Sequence, residues 1–237
     1  MKILTCLLAA LSCCNAQALT CPAGMGLIPA VSPYTGQPYC MMTQEARNIL
    51  GQPWNYISFA DAAQKCKAAF VEGDLPTNSL WQGAASQMIL QPENWTQGTV
   101  GLGTLKTDLK LGGVMFYAMG GGLWEFVQGN APYPTYPGYI YQLQTGGPQY
   151  YINGVYGDTK FHFGPQGSYG ANTSLGVTTY NASGHIMRGG DDPADSSSGE
   201  TPEHGVFGAA LNHDGQAASD VGFRCVCPLA YCGQSSQ

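Results

Sequence analysis

The chain has 237 residues and a formal net charge of −6, and only 10% of its residues are charged. An acidic, sparsely charged surface repels phosphate backbones and anionic headgroups, which excludes nucleic acid and anionic lipid as partners. With 33 glycines, 15 prolines and 14 tyrosines, the composition points to a loop-rich fold, not a helical bundle.

At the start, Lys2 precedes an apolar run over residues 3–11, followed by the small-x-small site Ala16-Gln17-Ala18. That layout predicts a secretory signal peptide over residues 1–18, its apolar run too short to span a bilayer. Ala10-Leu11-Ser12-Cys13 imitates a lipobox, so the alternative leaves Cys13 as a lipid-bearing N-terminus. Either reading exports the protein to a periplasm, a cell surface or the medium. No transmembrane run follows, and residues 19–237 are long enough for one domain with a sizeable core. Outside the leader stand Cys21, Cys40, Cys66, Cys225, Cys227 and Cys232, an even set that predicts disulfides whose connectivity spacing leaves open.

Two helices are expected early in the domain. Ser58-Phe59-Ala60-Asp61 is a capping box, and Phe59, Ala62, Ala63, Cys66, Ala69 and Phe70 recur at helical spacing. Thr77 is the expected N-cap of the second, with Leu80, Trp81, Ala84, Ala85 and Met88 as its buried stripe. After Gln91 the helical period disappears. Apolar clusters at 114–119, 123–127, 185–187, 205–211 and 221–226 read as short strands between long loops. Residues 128–170 carry Tyr133, Tyr136, Tyr139, Tyr141, Tyr150, Tyr151, Tyr156 and Tyr169. These rings suit sugar stacking or an adaptable protein interface, or else clamp the loop to its own domain.

With these elements placed, the order of motifs resembles the formylglycine-generating enzyme (sulfatase-modifying factor) family. "LIPA", "YCMMTQEARN", "YISFADAAQKC", "LPTNSLWQGAA", "GGLWEF", "MRGG" and "DVGFRC" stand in the family's order from about residue 21 to 226. The resemblance implies an α+β fold: a single C-type lectin-like domain with two N-terminal helices, short antiparallel strands and long irregular loops. It also implies one disulfide, Cys66–Cys225; Cys21–Cys40 is the next choice, which leaves Cys227–Cys232 in the tail.

Catalytic members hold copper through two cysteines just after the R-G-G-S turn, a sensible choice because soft sulfur selects copper(I). Here those positions fall on Ala194 and Gly199, and no cysteine lies between Cys66 and Cys225. Copper and formylglycine formation are therefore not expected. A related branch uses non-haem iron, but His162, His185, His204 and His213 show no ligand spacing.

The stretch after "MRGG" is acidic. Asp191, Asp192, Asp195, Glu200, Glu203 and His204, with His213 and Asp214, are expected to form an exposed ligand-binding face. As a metal cage they lack EF-hand spacing, and Pro193 and Pro202 interrupt them. The resemblance instead implies calcium at Glu125 with the carbonyls of Gly120, Gly121 and Leu123, although the family's Asn is Gly122 here. The expected function is an exported, non-catalytic recognition or adhesion protein that binds a protein or glycan ligand at a cell surface. An enzyme with altered chemistry on the same scaffold, and a structural envelope protein, are the alternatives.

Overall fold

The computed structural model describes residues 20–32, 34–100, 105–131, 152–156, 159–163, 178–179, 184–190 and 205–234. The expected leader, with Cys13, lies outside the described residues. The elements in chain order are β1 (Met25–Ile28), β2 (Tyr39–Met42), α1 (Phe59–Ala69), α2 (Asn78–Met88), β3 (Leu109–Leu111), β4 (Val114–Phe116) and β5 (Trp124–Ala131). There follow β6 (Ile152–Tyr156), β7 (Thr159–Phe163), β8 (Thr178–Thr179), β9 (Gly184–Gly189), β10 (Gly205–His213), β11 (Val221–Gly222) and β12 (Val226–Pro228). The fold is mixed α+β, with two helices and short strands. Among the described residues no helix is long and apolar enough to cross a membrane.

Both helices begin where local chemistry satisfies their free amides. Ser58 Oγ accepts from Asp61 N–H at 3.1 Å and donates to Asp61 Oδ2 at 2.7 Å. Thr77 Oγ1 accepts from Leu80 N–H at 3.1 Å. Such caps contribute about 1 kcal/mol each.

A five-stranded sheet, ordered β11-β5-β9-β10-β8, lies between the two helices. Alternation along a strand sends neighbouring side chains to opposite faces. Trp124, Phe126 and Met187 therefore pack with Ala62 and Cys66 of α1, together with Val221, Phe223 and Cys225. Val127 and Ile186 face the other way, onto Leu80, Trp81, Ala84, Ala85 and Met88 of α2. A three-stranded sheet, β1-β2-β12, flanks this core, and β3-β4 and β6-β7 form hairpins.

The apolar run 221–226 is not one strand. It splits: β11 runs parallel to β5, while β12 joins β2 in the other sheet. Every residue from 221 to 227 is buried, so the run has no solvent side, and Arg224 between the two strands turns into the interior.

Three disulfides join Cys21 to Cys40, Cys66 to Cys225 and Cys227 to Cys232, the three expected pairs, of which the resemblance implies the second. The second ties α1 to the segment just before β12 across 159 residues. By chain entropy a loop of that length is worth about 5 kcal/mol.

Candidate functional site

The acidic stretch leaves the sheet at Gly189 and returns at Gly205, which face each other as paired residues of β9 and β10. Residues 191–204, with Asp191, Asp192, Asp195, Glu200, Glu203 and His204, lie outside the described residues, as do Ala194 and Gly199. Their root is described in full, and it is built from buried polar side chains.

At its centre Arg224 meets Glu125, both without solvent exposure. Arg224 Nε donates to Glu125 Oε2 at 2.6 Å, and Nη2 donates to Oε1. The same guanidinium donates to the carbonyls of Tyr117 at 3.1 Å and Met42 at 3.4 Å. Its carbon lies 5.6 Å from the centre of the Trp81 ring, a cation–π contact with α2. Trp81 in turn donates its indole N–H to Val206 O at 2.7 Å, fixing the start of β10 to α2.

Arg188 stands opposite Glu125 in the β5–β9 register, on the same face of the sheet, yet its Nη2 donates to Gln82 Oε1 of α2 at 2.8 Å. Burial lowers the pKa of Arg188 to about 9, so it remains charged at neutral pH. Burial likewise pushes Glu125 up to about 7, against the opposing charge and hydrogen bonds of Arg224.

Glu45 completes the root, and its part in the site was not legible in the sequence beyond its place in "YCMMTQEARN". It is buried, and its Oε1 accepts from Leu123 N–H at 3.0 Å. Burial raises its pKa, partly offset by that amide and by Arg224 and Arg47. Gly122 explains why no larger side chain sits beside it: its φ is +96°, and a Cβ there would stand 2.8 Å from Glu45 Oε1. At Gly189, φ +92°, a Cβ would touch the Met119 and Leu123 carbonyls and Trp81 at 3.5–3.7 Å, so the root of the acidic stretch packs directly on this cluster.

The calcium ligands implied by the resemblance do not fit a hard dication here. Both oxygens of Glu125 accept from Arg224, and calcium would have to take them from a cation. Among the described residues no three His, Cys, Asp or Glu side chains are grouped so as to hold a metal. Gly120 and Leu123 are tied into the turn through their amides: Gly120 N–H donates to Thr107 O at 3.1 Å, and Leu123 N–H to Glu45 Oε1 at 3.0 Å.

The expected ligand-binding face does not have a single anchor. His213 pairs with His185 at the end of β9 remote from Gly189, about 13 Å away at ~3.3 Å per residue. Exposed Asp214 follows there and accepts from Gln216 N–H at 2.9 Å. The structure thus separates the anchors of His213 and Asp214 from the root at Gly189 and Gly205. His185 is half-buried, stacked on Phe59 with ring centres 3.9 Å apart. The tyrosines of residues 128–170 lie outside the described residues, apart from Tyr156, described in backbone only.

No protein-family model matches the chain, and no curated protein does. Among solved structures it is similar to Treponema denticola variable protein 1, at 15% identity over 86% of this chain and 94% of that one, with a TM-score of 0.41.

Proposed function

We propose that this chain is an exported, non-catalytic recognition protein on a C-type lectin-like scaffold of the formylglycine-generating-enzyme kind, displaying the acidic stretch 191–204 to a basic protein surface. The observation that carries the reading is the state of the sulfur. All six cysteines beyond the leader are consumed in disulfides, so no thiolate pair remains among the described residues to hold copper. Beneath the acidic stretch Arg224 pairs with Glu125, Arg188 bonds to Gln82 and Glu45 to the Leu123 amide, all buried, the arrangement of a support, not of a reaction centre. The disulfides are compatible with an oxidising, extracellular location. Function then sits on the loop that the frame carries.

Replacing Asp191, Asp192 and Asp195 with Asn, and Glu200 and Glu203 with Gln, tests this. Binding to a panel of basic surface proteins should weaken on the order of tenfold, mostly through association rate and salt dependence, with melting unchanged. Equal binding by the neutralised variant contradicts the proposal.

A further inference from the structure

On the α1 side of the sheet, opposite the face that carries Glu125 and Arg188, the surface holds an open groove of about 470 Å³. Trp54, Tyr56, Ile57 and Ala68 make its apolar wall, and Asp61, Gln64 and Lys65 project from α1 along its polar rim. The volume lies in the range of small-molecule sites.

Tyr56 is the unusual member. Its φ is +54°, a left-handed conformation that costs a residue other than glycine about 1–2 kcal/mol. The residue is nonetheless 70% exposed, so no core packing accounts for that cost. The surrounding chain enforces it. Tyr56 N–H donates to Ala218 O at 2.9 Å, Asn55 Nδ2 to Ser219 O at 2.9 Å, and Phe59 N–H to Gly215 O at 2.9 Å. Three bonds to a neighbouring loop maintain this strained backbone, so the segment that carries the exposed Tyr56 side chain is in place before any ligand arrives.

We infer that this groove is a binding site for a neutral hexopyranose, with the Tyr56 ring as its stacking surface and Asp61, Gln64 and Lys65 bonding its hydroxyls. A pyranose has an apolar C–H face and a polar rim, and the groove presents one wall of each kind. Lys65 Nζ already lies 4.9 Å from the centre of the Trp54 ring, so Trp54 is the back wall and Tyr56 the open platform. The charges of Asp61 and Lys65 cancel, and an anionic sugar would also meet a protein of net charge −6. The site is independent of the acidic stretch, which is rooted on the other face of the sheet.

The test uses the folded chain with its disulfides formed, titrated with methyl glucoside, methyl galactoside, methyl mannoside and methyl glucuronide. Backbone amide shifts of Tyr56, Gln64 and Lys65 provide the readout. At least one neutral glycoside should shift them saturably, with a dissociation constant on the order of 1 mM. Tyr56→Gly removes the ring while suiting the positive φ, so it should stay folded and bind about tenfold more weakly. Gln64→Ala should weaken binding several-fold, and Tyr231→Ala, at an exposed tyrosine outside the groove, should leave it unchanged. The inference is overturned if no neutral glycoside shifts these amides, if Tyr56→Gly binds as well as the parent, or if the glucuronide binds more tightly than the glucoside.

Discussion

Arg224 donates to both carboxylate oxygens of Glu125 across 99 residues of sequence, and solvent reaches neither side chain. This pair joins β5 to the segment between β11 and β12, and through the Met42 and Tyr117 carbonyls it also holds β2 and the turn before β5. Removing one partner leaves the other charge buried and uncompensated. Glu125→Leu and Arg224→Met should each destabilise by about 3–5 kcal/mol, while the double substitution should cost much less than their sum. Denaturant unfolding of the four proteins measures the coupling.

Burial raises the Glu125 pKa from its ordinary value of 4.5 to about 7, so its contribution to stability is fully present below pH 4.5 and lost as pH rises through 7. The urea midpoint should therefore fall between pH 4.5 and 7, and Glu125→Gln should flatten that fall. Glu45, shifted in the same direction, leaves a residual slope.

Gly122 is held at φ +96° with Glu45 Oε1 only 2.8 Å from where a Cβ would sit, and the Ala118 side chain at 3.0 Å. Gly122→Ala should destabilise by about 1–3 kcal/mol, through the left-handed backbone and a displaced Glu45–Leu123 hydrogen bond. Thermal melting reads the loss, and the Leu123 amide should exchange faster with solvent.

Calcium should leave the melting temperature unchanged, because the oxygens it would need are bonded to Arg224. A calcium-dependent rise that Glu125→Ala abolishes would contradict that geometry.

Both helices were legible because their determinants are local: Ser58 and Thr77 cap them, and the apolar stripes recur within a turn. Strands β1 and β2, four residues each, leave no mark in the sequence, since a period of two barely registers over that length. The 221–226 run misled for a related reason: continuous burial conceals the point at which the chain changes sheets. "GGLWEF", "GFRC" and "YCMMTQEARN" each mark a charged residue of the cluster, but the pairing of Glu125 with Arg224 depends on a closure that no spacing encodes. No periodicity marks Tyr56, whose left-handed backbone is held by hydrogen bonds from residues 55–59 to residues 215–219.

Recognition without copper chemistry can be checked by titrating the folded, disulfide-intact chain with copper(I) against a competing chelator and then incubating it with a C-x-P-x-R peptide. No stoichiometric copper should be bound through sulfur, and no formylglycine should form in the peptide. One equivalent of thiolate-held copper together with peptide turnover would contradict the proposed function.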